Sequence, residues 1–323
     1  MKSYSFVLTL MCVMMFAKAQ TRETGPWWPH PIWGAEDQAG ASNWITPEKV
    51  LSVMPLVTEG KVYELGHPYE RTMPMINTRS YKISVVDTGP ESGRNRQLGN
   101  EEVISGELAQ VGTQFDGPGH IGSVVKYADG TETGVYYNGY MQQEVIHPDG
   151  LRKLGIENVK PIISRGILVD VAGYKGVTRL DHSYEVTMND VRGALREQGI
   201  DEDSITPGDV IVFRYGWSSL WRSPQEYNSN PPGIGMEVGR WPIEKRVCMT
   251  GADTGPTEVM PNPDPTLTIP VHLELIMKNG IFNLENMNLD SLAAGNVYEF
   301  LFIFTPIRFV GATGSPGRPI GIR

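Results

Sequence analysis

Cysteine is nearly missing from this sequence. Of 323 residues only Cys12 and Cys248 are cysteines, and Cys12 lies in an apolar N-terminal run, so a chain that loses that run can form no intramolecular disulfide. A chain of this length does not need one, because the fraction of surface buried grows with size. Cys248, in VCMTGAD with no histidine close by, reads as a small core residue. A basic excess is missing too. The 28 Lys and Arg face 37 Asp and Glu, a net charge of −9, which argues against nucleic acid or an anionic membrane surface as partner, since nothing is available to neutralise phosphates. There is no G-x-S-x-G elbow, which weakens a serine-nucleophile route, and Ser315 in GATGSPGRP reads as a turn or pocket-lining residue. No internal repeat, low-complexity tract or inter-domain linker interrupts the chain, and 40% hydrophobic with 20% charged residues is ordinary globular composition.

Long apolar runs are missing except at the N-terminus. MKSYSFVLTLMCVMMFAKAQ combines Lys2, an apolar run from Phe6 to Ala17, and Ala17-Lys18-Ala19 as a small-x-small cleavage site. The run is too short to span a bilayer comfortably. It describes a cleavable signal over residues 1–19, one domain over 20–323, and a secreted or periplasmic location. Loss of Lys2 and Lys18 leaves 26 basic against 37 acidic residues, net −11.

What is present reads as alternating strand and helix. The Gly-, Pro- and Trp-rich stretch after the signal is an ordered loop, whose Trp28 and Trp33 either pack on the body or wall a substrate pocket. Thr46-Pro47 reads as an N-cap with proline at the first helical position, opening a short helix that ends before Gly60. GILVDVA (166–172) and DVIVFRYGW (209–217) are apolar runs suited to strands buried on both faces. Between them VTMNDVRGALREQG (186–199) is a helix with Thr187 at the N-cap, Asp190 three residues on and Gly199 past its end. Strand, helix, strand at this spacing is a βαβ unit, so part of the sheet is parallel. A further strand is expected at Val247–Met249, a helix over His272–Asn279 and a last strand over Phe300–Ile307.

The chemistry concentrates in QVGTQFDGPGH, residues 110–120. Gly117, Pro118 and Gly119 make a helix improbable between Asp116 and His120. Upstream, EVISGELAQVGTQF alternates well enough for a strand on which Gln110, Gln114 and Asp116 share one side, although such rows also arise as solvated polar faces. His30 and His67 lie beside prolines, and His147 and His182 in polar segments, where solvated or capping roles fit best.

The chain resembles the cyclase family of metal-dependent hydrolases, which includes kynurenine formamidase and isatin hydrolase and carries H-x-G-T-H-x-D-x-P-x-H. Gly112, Thr113, Asp116, Pro118 and His120 match this pattern, while Gln110 and Gln114 stand at its first two histidines. Trp33-Gly34 with Asp37, ITPGDVIVFRYGW, GADTGPTE, a block from His272 to Glu285, and GATGSPGRP follow in family-like order.

The resemblance implies an α/β domain with a mixed, partly parallel sheet of swivelling β/β/α type, usually oligomeric. It also implies metal ligands at Gln110, Gln114, Asp116, His272 and Glu285, with His120 in proton transfer. Gln110 is either a ligand or a hydrogen-bonding neighbour of one. Two amides for two imidazoles leave an oxygen-rich set that favours a single manganese, magnesium or calcium ion, Mn2+ first, over zinc. The implied activity is metal-assisted hydrolysis of an amide or lactone carbonyl in a small aromatic or cyclic substrate, with His120 as general acid and base. The alternative is a binding protein that kept the fold and pocket without turnover.

Overall fold

The computed structural model describes residues 25–76 and 79–323; the expected signal, 1–19, lies outside them. A nine-stranded sheet organises the chain. Across it run Val62–Glu64, Ile320–Ile322, Glu299–Phe304, Ile162–Asp170, Val210–Arg214, Met249–Ala252, Phe282–Glu285, Gln114–Asp116 and Gly314–Pro316. The four strands from Ile162–Asp170 to Phe282–Glu285 are mutually parallel, and those at both ends are antiparallel. The parallel core explains the uninterrupted apolar runs: Ile167, Leu168, Val169 and all of Val210 to Phe213 are buried, because both faces of a parallel sheet are covered.

The expected βαβ unit is present. Its helix, Met188–Glu197, starts where Thr187 Oγ accepts from Asp190 N while the Asp190 carboxylate accepts from Thr187 N, and Gly199 turns the chain at φ +72°. Met188, Val191, Ala194 and Leu195 form its buried stripe at helical spacing, and it packs on Ile162–Asp170. Thr46 caps the helix Pro47–Val53 as expected. The third parallel strand is Met249–Ala252 rather than 247–249, and the last long strand is Glu299–Phe304. Cys248 is fully buried, and burial raises its thiol pKa.

One expectation is corrected. The stretch before Asp116 is not one strand: Asn100–Gly106 pairs with Tyr81–Asp87 in a separate hairpin, Leu108–Gln110 is a single 3-10 turn, and only Gln114–Asp116 joins the main sheet. Gly106 and Gly112 break the run. Gly106 sits at φ +132° where a Cβ would meet Ser80 O at 2.0 Å, and Gly112 sits at φ +64° beneath the Tyr69 ring. Among the described residues no helix is long and apolar enough to cross a membrane.

Candidate metal centre

Strand register builds half of the centre. Gln114 pairs with Glu285 and Asp116 with Asn283, so alternation puts these four side chains on one face, while Phe115 and Leu284 turn into the core with Phe282. After Asp116 the chain turns tightly, with His120 N donating to Gly117 O at 3.0 Å, and His120 comes back beside Asp116. Glycine is required inside this turn: a Cβ on Gly119 would lie 2.4 Å from Leu151 Cδ1 and 2.8 Å from Leu154 O. Thr113 anchors the loop by donating to Asn286 O at 2.7 Å.

His272 supplies the other half. It is the last residue of the helix Pro270–His272, which a π-helical turn, Leu273–Lys278, continues, a form that recurs at functional sites. The preceding Ile269 is held at φ +40°, a strained setting for a β-branched residue. Glu258 secures the corner. Its fully buried carboxylate accepts from Val271 N at 3.2 Å, His272 N at 3.0 Å and His272 Nδ1 at 2.5 Å, which leaves Nε2 facing the cluster.

Ligand atoms of Asp116, His272 and Glu285 all lie within 4.8 Å of one another. His272 Nε2 is 3.0 Å from Glu285 Oε1 and 3.8 Å from Asp116 Oδ2. Gln114 Nε2 donates to Glu285 Oε2 at 2.8 Å, and Asn283 Nδ2 donates to Glu285 Oε1 at 2.9 Å. Gln110, although off the strand, still arrives: its Nε2 lies 3.2 Å from His120 Nδ1 and 3.5 Å from Asp116 Oδ1. Two acceptors here, Asp116 Oδ2 and Gln110 Oε1, are buried with no hydrogen-bond partner. Buried acceptors are rarely left open, and Asp116 Oδ2 lies 3.8 Å from His272 Nε2, within the donor set a cation would use.

The electrostatics agree with a cation site. Burial would lower the His272 pKa, but the hydrogen bonds its ring donates to the Glu258 and Glu285 carboxylates, and their charges, raise it well above the ordinary value; the Nε2 position therefore attracts a positive partner, proton or metal. Burial, reinforced by the Asp116 charge and opposed by His272, pushes Glu285 up to about 7. His120 moves the other way: burial lowers its pKa against the pull of Asp116, so its ring is neutral near pH 7.

A cavity of about 400 Å³ opens onto the cluster, lined by Gln110, Gln114, His120, His272 and Glu285 together with Arg79, Tyr227 and an apolar wall including Ile76, Met260 and Ile269. Trp28 and Trp33 do not line it. Trp28 packs edge-on to Trp27, and Trp33 stacks on His30 at 4.0 Å and meets Trp44, so the loop aromatics cover the body rather than this cavity. Of the remaining histidines, His30 Nδ1 accepts from Ile32 and Trp33 backbone N–H groups, and His67 stacks on Trp221. Sequence reasoning missed Glu258, Asn283 and Arg79. Glu258 was within reach as the acid of GADTGPTE, whereas Arg79 belongs to no motif.

The family model described as Putative cyclase matches residues 63–259. A crystal structure described as a novel cyclase superposes with a TM-score of 0.77 at 30% identity, covering 90% of this chain and 96% of that one. Isatin hydrolase A from Labrenzia aggregata, bound to benzyl benzoate, matches at 20% identity with a TM-score of 0.58 over 81% of this chain and 93% of its own. Isatin hydrolase A from Ralstonia solanacearum matches at 17% and 0.56, over 81% and 92%. No curated protein matches the chain significantly.

Proposed function

Since the chain belongs to the cyclase family, we propose that it is a metal-dependent hydrolase acting on the amide or lactone carbonyl of a small, cyclic or aromatic molecule. The observation that carries this reading is the open donor set: three ligand-type side chains within 4.8 Å, two orphaned buried oxygens beside them, and a small-molecule cavity above. Solved neighbours named isatin hydrolases share the fold. Asp116, His272 and Glu285 would hold one divalent cation, with Gln110 and Gln114 lining the same cavity. A bound divalent cation supplies polarisation of a carbonyl and acidification of a water. The oxygen-rich donors favour manganese, with zinc second.

The protein's own contribution to proton transfer runs through His120 Nε2. Nδ1 is engaged by the Gln110 amide, which sets the tautomer. With the amide oxygen toward Nδ1, Nδ1 donates to Oε1 and Nε2 takes a proton from the attacking water; the imidazolium so formed then returns that proton from Nε2 to the leaving group, which restores the neutral ring. Desolvation lowers the pKa of the ring, so it starts neutral, the state that accepts the proton.

Metal analysis with a screen of formamides, cyclic amides and lactones, before and after chelation, tests the reading. We expect one divalent cation per chain and more activity restored by manganese than by zinc. Full activity with no metal overturns it. A specific observation favours a second reading, a binding protein without turnover: Gln114 hydrogen-bonds Glu285, so part of the charge is compensated by the chain itself. Failure to hydrolyse any of the three classes while binding them would select it.

Residues 1–19 further support export, which N-terminal sequencing of native material checks; retention of these residues in a membrane fraction counts against it. A homo-oligomer is carried over from the resemblance alone, and light scattering measures it.

A further inference from the structure

Among the described residues, Arg79 is the one arginine or lysine that lines the cavity over the cluster. It is half-buried, and its guanidinium makes a single hydrogen bond among the described residues, from Nη1 to Gln110 O at 2.8 Å, with no ion pair to any carboxylate. Three other half-buried cations have acidic partners, Arg165 with Asp209 and Glu299, Arg214 with Asp170 and Asp290, and Lys49 with Asp209, whereas Lys153 lies over the Tyr140 ring and Arg323 bonds a backbone carbonyl, both away from this cavity. A planar fork with most of its donors free suits a carboxylate, which it takes in two parallel hydrogen bonds. The location is also specific. Arg79 holds the backbone of Gln110, and the side chain of that same residue touches Asp116 and His120, so one glutamine side chain separates the guanidinium from the cluster.

We propose that the site takes a substrate carrying a carboxylate a few bonds from its hydrolysable carbonyl, with Arg79 holding that carboxylate and the wall of Ile76, Met260 and Ile269 covering the apolar body. The charge around the cavity selects a monoanion. Asp116 and Glu285 already place two carboxylates beside the cavity, and a single guanidinium balances one further negative charge; a phosphate dianion would leave one uncompensated. This inference rests on the hydrolase reading for the word substrate, but the anion preference of the cavity stands or falls separately.

Benzoate and benzamide, matched in shape and differing in charge, are the probes. Calorimetry on the metal-loaded protein should show benzoate binding more tightly than benzamide. Arg79→Gln should weaken benzoate about 10-fold or more, the usual scale of a lost charge-assisted contact, and leave benzamide within about two-fold, with metal content equal to the parent. Arg79→Lys should recover part of the benzoate affinity, and it carries the test if the glutamine variant fails to fold. The proposal is overturned if Arg79→Gln leaves benzoate unchanged, if it weakens both probes equally, or, where only the lysine variant folds, if that variant binds benzoate as the parent does. The same titration after chelation separates the two readings. Arg79-dependent benzoate binding that survives in a protein holding no metal and hydrolysing nothing sinks the hydrolase and keeps the anion site, whereas metal-dependent turnover without any Arg79 effect does the reverse.

Discussion

Asp209 and Asp116 are both aspartates with no exposed surface, and their surroundings could hardly differ more. Asp209 is closed by the chain's own cations: Oδ1 takes Lys49 Nζ at 2.5 Å, and Oδ2 takes Arg165 Nε at 3.0 Å, Arg165 Nη2 at 2.5 Å and Thr206 N at 2.9 Å. Among the described residues Asp116 has only Gln110 Nε2 at 3.5 Å and His120 Nε2 at 3.8 Å near Oδ1 and His272 Nε2 at 3.8 Å near Oδ2, and Oδ2 has no hydrogen-bond partner. Same residue type, same burial, opposite saturation. A carboxylate whose acceptors are all used holds the fold together, while one left open is built to receive something from outside.

The largest expected effect breaks the first member of the pair. Asp209→Ala strands two withdrawn cations and should cost about 3–5 kcal/mol in chemical denaturation. Asp116→Ala in chelated protein should cost a small part of that, since it removes a carboxylate with little to lose, while dialysed samples of the variant should hold no metal. Equal destabilisation by the two substitutions would erase the contrast.

Next in size, His120→Ala should lower turnover about 10²-fold to 10⁴-fold, the range of general acid and base catalysis, with metal content and circular dichroism unchanged. Parent-rate turnover by that variant would move the chemistry elsewhere. Glu258→Gln sharpens the comparison from the second shell of hydrogen bonds. It keeps the shape but loses the charge that fixes His272 Nδ1, and metal affinity measured by competition with a chelator should fall about 10-fold to 100-fold. An unchanged affinity would show that the helix alone aims the ring. Gln114→His should have the smallest effect, a shift of preference toward zinc as an imidazole softens the donor set, read from the metal retained in equal mixtures. No shift would place position 114 outside the coordination sphere.

Local signals were legible where the chain itself enforces them. The Thr187–Asp190 box, Thr46-Pro47 and the apolar strands at 166–172 and 209–217 act over a few residues or answer directly to burial, and each appears near its expected position. The alternation that puts Gln110, Gln114 and Asp116 in one row runs through Gly106 and Gly112, whose left-handed backbones end the strand. Gln110 nonetheless reaches the cluster, by a turn rather than by register. The tryptophans were weighed by composition, and composition does not say which cavity an aromatic faces.

By itself the sequence determined the element types, the parallel βαβ core and, through one spaced motif, the Asp116 to His120 end of the centre, because caps, burial patterns and a glycine-rich turn are local properties of adjacent residues. Tertiary structure decided the rest. That Gln114 faces Glu285 across 171 positions of chain, that Glu258 turns His272 toward Asp116, and that Arg79 meets the cavity with no ion pair among the described residues all follow from strand register and loop closure, and no residue's neighbours in sequence report which distant strand will lie beside it.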